Sequence, residues 1–139
     1  MPGKILYAND GSDDALRALV LALAIAKQND SELHMVSVNK IGYAPDSSEQ
    51  MMEGMGTASR RFRGVLQRAR AMAEESQVQL HTHVVAGRSV RSVVNLAAEL
   101  NVELLVIGAR GRSTLYGRLV GTRADRIVRH AKCPVLVVK

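Results

Sequence analysis

The feature that most constrains this chain is a regular alternation between two apolar periods. Apolar, β-rich runs recur at Lys4–Ala8, Glu32–Val38, Val78–Ala86, Leu104–Ile107 and Val135–Val138, each bounded by Gly, Pro, Asn, Asp or Ser. Between them the apolar residues take helical spacing: Leu16, Leu19, Val20 and Leu23; Val65, Leu66, Ala69 and Met72; Val90, Val93, Val94 and Ala97; Ala124, Ile127, Val128 and Ala131. Five strand candidates interleaved with four helix candidates predict an α/β fold, a parallel sheet with helices on both faces joined by right-handed crossovers. Leu104–Ile107 and Val135–Val138 are apolar at every position, as strands covered on both faces should be. Leu80-His81-Thr82-His83-Val84 alternates instead, which places the third strand at an edge. At 139 residues, 47% apolar and 23% charged, the chain has the size and balance of one globular domain over residues 1–139.

Several function classes fall away on the same residues. The longest unbroken apolar run, Ala18 to Ala26, is nine residues, whereas a membrane helix needs about 18 or more. The Met1-Pro2-Gly3-Lys4 start runs straight into the first strand and has no secretory pattern, so a cytoplasmic protein without membrane contact is expected. A single cysteine, Cys133, makes neither an internal disulfide nor a zinc site of its own and reads as a small buried hydrophobe. With four aromatic residues and no Trp, stacking platforms for single-stranded nucleic acid are scarce, and no nucleic-acid function is expected.

Charge and loop length point to one region. Residues 1–59 carry a net −4 and residues 60–139 a net +10, of which +6 falls within residues 108–132. An anionic partner and a merely solvated basic face both account for that bias. The first helix opens on Asp10-Gly11-Ser12-Asp13-Asp14, whose carboxylates already neutralise the positive end of the dipole and would repel phosphate. The fourth opens on Gly121-Thr122-Arg123-Ala124-Asp125, with Thr122 as cap, Asp125 as capping-box partner and a cation in its first turn. An anion at a helix N-terminus would bind there. From Ala109 to Val120 the chain spends about a dozen residues on a loop that usually takes about 2–6. Gly108, Gly111, Gly117 and Gly121 punctuate it, among Arg110, Arg112, Ser113, Thr114 and Arg118. Glycines let successive N–H groups converge on a phosphate, and arginines add charge-assisted bonds. The loop also leaves a strand at its carboxyl end, where open α/β sheets bind ligands.

Gly108, two residues, Gly111, nine residues, then Gly121-Thr122 resembles the G-2x-G-9x-G(S/T) signature of the ATP-binding universal stress proteins. Ile5-Leu6-Tyr7-Ala8-Asn9-Asp10-Gly11-Ser12, Gly87 and Cys133-Pro134-Val135-Leu136-Val137-Val138 extend the resemblance over nearly the whole chain, Asn39–Ser59 being its least informative part. It implies a Rossmann-like domain with strand order 3-2-1-4-5, the order also expected for this topology. It further implies that Asp10 contacts the ribose, with Ala8 and Asn9 near the base. Val38 would line the adenine slot, Ile107 and Gly108 would close it, and Gly111, Gly121 and Thr122, with Arg110 and Arg112, would hold the phosphates. Ala8 stands where the family often has proline. Arg123 stands where a small apolar residue commonly follows the hydroxyl, and it either clamps a phosphate or fills its place. The function implied is an ATP-binding regulatory or stress-response module, with Mg²⁺ (or Mn²⁺) on the phosphates and without efficient turnover. Its rivals are a slow ATPase, autophosphorylation at Ser113 or Thr114, and a related module for AMP or another adenine nucleotide. The fifth strand, an apolar edge with no charge before Lys139, predicts a homodimer.

Other features read as structural. No Gly-Lys-Ser/Thr and no Gly-x-Ser-x-Gly occurs. Arg60, Arg61, Arg63, Arg68 and Arg70 wrap around a helix as a solvent-facing surface. His81 and His83 share one face of a strand at a spacing that can bind metal, but with no third ligand apparent they read as a solvated edge, and no metal site is expected.

Overall fold

The computed structural model describes residues 3–9, 13–39, 63–86, 89–109 and 122–139. In chain order these form β1 (Lys4–Asn9), α1 (Asp13–Asn29), β2 (Glu32–Asn39), α2 (residues 63–76), β3 (Leu80–Ala86), α3 (Ser89–Leu100), β4 (Leu104–Gly108), α4 (Thr122–His130) and β5 (Val135–Val138). The five strands pair in parallel in the order β3-β2-β1-β4-β5, as expected. The alternating strand β3 does lie at an edge, and β5 forms the other.

Each face of the sheet buries its own core. Ile5 and Tyr7 of β1, Leu33 and Met35 of β2 and Val106 of β4 meet Ala18, Leu19, Ala22 and Leu23 of α1 and Ala69 and Ala73 of α2. On the other face Leu6, Val36, Leu105 and Ile107 meet Val93, Leu96 and Ala97 of α3 and Ala124 and Ile127 of α4. The period-two split of Leu105 from Val106 explains why β4 must be apolar throughout. Alanines share the buried stripe of α1 with Leu19 and Leu23, whereas Val20 and Leu21 on its other side remain exposed. Leu33 is fully buried between strands and helices. Leu33→Ala is therefore expected to lower unfolding stability by about 2–5 kcal/mol, and Leu21→Ala by less than about 0.5 kcal/mol, read from urea midpoints.

Three helices end the same way without glycine. Asp30, Gln77 and Asn101 take left-handed φ values of 54°, 58° and 54° just past α1, α2 and α3. The next N–H in each case bonds back five residues: Ser31 to Ala26, Val78 to Ala73 and Asn101's successor Val102 to Ala97. This Schellman geometry satisfies the terminal carbonyls and turns the chain toward the next strand. It also explains a boundary: Val78, expected to begin the third strand, instead closes α2, and β3 starts at Leu80. At their far ends β1 and β4 each run one residue beyond the expected stop, because Asn9 pairs with Ser37 and Gly108 with Val138.

Candidate functional site

A parallel sheet gathers the carboxyl ends of its strands at one edge. Here the chain leaves β1 for α1 on one face and β4 for α4 on the other, although β1 and β4 are neighbours. Such a reversal opens a crevice between the two exits, the usual ligand position in open α/β sheets. Those residues expected at a nucleotide site that fall within the described segments lie at these strand ends or at the start of α4. Ala8 and Asn9 end β1, Val38 lies one residue from the end of β2, Ile107 and Gly108 end β4, and Thr122 and Arg123 open α4. Asp10, Arg110, Gly111, Arg112 and Gly121 lie outside the described residues, as do Ser113, Thr114 and Arg118.

The strand period sorts these residues by face. Ala8, Val38 and Ile107 join the core beneath α3 and α4, and that core includes Ala124 in the first turn of α4. Apolar side chains at these strand ends, Ala8 and Val38 partly buried and Ile107 buried, are thus continuous with the helix whose N-terminal N–H groups and partly buried Arg123 favour an anion. The arrangement can take a flat apolar group and an anionic tail together. Asn9 is not part of this apolar group. Its amide Nδ2 donates to the Ser37 hydroxyl at 3.4 Å and its Oδ1 lies 3.4 Å from the Tyr7 hydroxyl, on the α1 side. Tyr7, fully buried, donates to the Ala15 carbonyl at 2.5 Å and so ties the start of α1 to β1. Sequence reasoning missed this Tyr7–Asn9–Ser37 support, although a lone serine in the apolar run of β2 was a signal for it.

Asp125, expected as a capping-box partner, lies 3.2 Å from Arg129 as an exposed i, i+4 ion pair. Such a pair contributes only about 0.3–0.5 kcal/mol, and it takes up the only carboxylate of α4. Cys133 packs partly buried against the α4-side core, and burial pushes its thiol above the ordinary value, away from the reactive thiolate. Arg63, Arg68 and Arg70 are exposed, while Arg60 and Arg61 lie outside the described residues.

The histidines of β3 are not the solvated edge expected of them. His34 of β2 is the register partner of His81, and its Nδ1 lies 2.9 Å from His83 Nε2. His34 is buried, His81 and His83 are half-buried, and Glu32 reaches the same cluster. His34 was overlooked because only the pairing of β2 with β3 brings it there.

Comparison with known proteins gives a consistent result. The family model described as Universal stress protein family matches residues 1–139. Universal stress protein MJ0531 of Methanocaldococcus jannaschii is 32% identical over 140 residues, covering 98% of this chain and 81% of that protein. Among solved structures, universal stress protein UspA from Lactobacillus plantarum is similar at a TM-score of 0.86 and 25% identity, over 99% of this chain and 97% of that one. A universal stress protein crystallised in complex with cAMP is similar at a TM-score of 0.78 and 28% identity, again over 99% and 97%.

Proposed function

This chain belongs to the universal stress protein family, and from that premise we propose that it is an adenine-nucleotide-binding regulatory module of the stress response. The observation that carries the reading is the apolar group of Ala8, Val38 and Ile107 at the strand ends, continuous with the first turn of α4. This group suits a purine face, and the helix start suits phosphate. The cAMP complex of a relative over nearly the same length supports the same ligand class.

Within that class the ligand is ATP, with Mg²⁺ carried on its phosphate oxygens. Gly111, Gly121 and Thr122 supply close backbone approach, and Arg110, Arg112 and Arg123 supply charge. Asp10 holds the ribose. Ala8 replaces the proline common in the family at a position where the main chain makes the contact, so the change is tolerated. The protein works in the cytoplasm as a homodimer joined through β5; among the described residues no helix is long and apolar enough to cross a membrane.

The test is an affinity series. Binding measured by calorimetry should weaken from ATP to ADP to AMP, by about tenfold per phosphate if each loses one charge-assisted contact, and should fall as salt rises. Equal affinities would assign recognition to the nucleoside slot and leave Arg123 in the place of the terminal phosphate. Hydrolysis should not exceed about a few turnovers per hour, because the loop offers no carboxylate or histidine as general base. Faster turnover lost on a single loop substitution, or label transferred from ATP to Ser113 or Thr114, would favour the enzymatic rivals.

A further inference from the structure

Three of the chain's four histidines converge on one face of the β2–β3 pair, beside a carboxylate, in a place the nucleotide site does not use. His34 lies four residues before Val38, roughly 13 Å of strand away from the crevice. In the parallel register His34 faces His81, and Val36 faces His83, so the three imidazoles share one side of the sheet. Their rings stack, with centroids 4.6 Å apart for His34 and His81 and 5.2 Å for His34 and His83. Glu32, two residues before His34, projects from the same side.

Two nitrogens in this cluster are left over. His34 Nε2 and His81 Nε2 are both buried and have no hydrogen-bond partner among the described residues. Native structures seldom leave such atoms unsatisfied. Both face one carboxylate: Glu32 Oε1 is 3.5 Å from His81 Nε2, and Glu32 Oε2 is 3.9 Å from His34 Nε2. Those separations exceed the ~2.7–2.9 Å of charge-assisted hydrogen bonds. The 3.5 Å separation matches ligand atoms around a shared ion, since tetrahedral zinc with bonds of about 2.0–2.2 Å holds its ligand atoms about 3.3–3.5 Å apart, and the 3.9 Å separation, to the other carboxylate oxygen, is a few tenths of an ångström longer. One ligand atom from each of Glu32, His34 and His81 lies within 4.8 Å of the others. The side chains of His81 and Glu32 are 38% and 41% exposed, so they have room to close the remaining gap.

We propose that Glu32, His34 and His81 bind one divalent transition-metal ion of the zinc type, and that His83 is a positioning residue for His34. Two imidazoles and a carboxylate suit zinc, cobalt or nickel better than magnesium or calcium, and three protein ligands leave a fourth position for water. For His34 to present its Nε2 lone pair, the ring proton must sit on Nδ1, and His83 Nε2 accepts it at 2.9 Å. Ligating histidines are typically oriented in this way by a partner on the second nitrogen. Burial, then the neighbouring imidazoles, push the His34 pKa down, and burial with His81 does the same for His83, which disfavours the protonated form of both rings. The bound ion would fasten the edge strand β3 to β2.

The test uses the full chain without a histidine tag or nucleotide, titrated with Zn²⁺ in calorimetry and with Co²⁺ in visible absorption. One equivalent should bind at micromolar affinity or tighter, with the d–d bands of a low-coordinate cobalt site and a rise in Tm. His81→Ala and Glu32→Gln, both at half-exposed positions, should each weaken binding by about tenfold or more while keeping the far-ultraviolet spectrum. His83→Gln should weaken it by a smaller factor and shift the cobalt bands. His130→Ala, at an exposed position of α4, should change nothing. No binding at 100 µM metal, or binding that survives either His81→Ala or Glu32→Gln, overturns the proposal.

Discussion

A Gly121→Val protein is expected to keep its fold and to lose ATP affinity by about a hundredfold or more, equivalent to about 3 kcal/mol. Gly121 directly precedes α4, whose first turn enters the core shared with Ala8, Val38 and Ile107. The first N–H groups of a helix have no partner within it, and they hold an anion only if the anion can approach the backbone. A branched side chain immediately before that turn would stand in the approach path and would forbid the backbone angles that glycine allows. Gly64→Ala is the control. It lies in α2, where an added Cβ meets nothing within 4 Å, so it should leave affinity unchanged and alter stability by no more than about 1 kcal/mol, in the favourable direction. Unchanged ATP affinity in a folded Gly121→Val protein would remove the phosphate loop from the site.

The second large effect concerns assembly. The Pro134 carbonyl accepts from Leu105 and the Val138 carbonyl from Ala109, so the even positions of β5 face β4. Backbone groups alternate along a strand, which leaves the N–H and C=O of Val135 and Val137 facing outward at the sheet edge. All four β5 side chains are only partly buried in the single chain. An apolar edge without charge or proline is a template for pairing, and a two-fold axis through it would close the assembly. The parent protein is then expected to run at about twice its 15.1 kDa chain mass in light scattering at micromolar concentration. Val137→Pro removes one outward donor and leaves the β4 ladder intact, a tolerable place for proline in a sheet. It should give a folded monomer. Val137→Lys is less informative, because Val137 also packs against the α4-side core. A parent that scatters as a monomer would show that β5 is not the interface.

Much of the architecture was legible because burial imposes it on composition. Strands covered on both faces must be apolar throughout, as β4 is, and helices on a sheet must repeat at three or four residues, as Leu19, Ala22, Leu23 and Ala26 do. The helix ends were harder, because Asp30, Gln77 and Asn101 occupy conformations usually signalled by glycine, and backbone bonds rather than residue type hold them there. The ends of β1, β2 and β4 and the start of α4 fall at one edge of the sheet. The strand period nevertheless puts the Asn9 side chain on the α1 side with Tyr7, away from Ala8. That alternation was readable from two adjacent residues, but the resemblance treats them together. The His34–His81 pairing was not readable, since it depends on the register between two strands separated in sequence by α2.

The most direct measurement is the nucleotide content of protein purified without added nucleotide, released by acid and identified by chromatography and mass spectrometry. An adenine nucleotide, ATP foremost, is expected in the parent and is expected to be absent from Gly121→Val. Parent protein that carries no adenine nucleotide, and that takes up none from millimolar ATP with Mg²⁺, would contradict nucleotide binding by this chain.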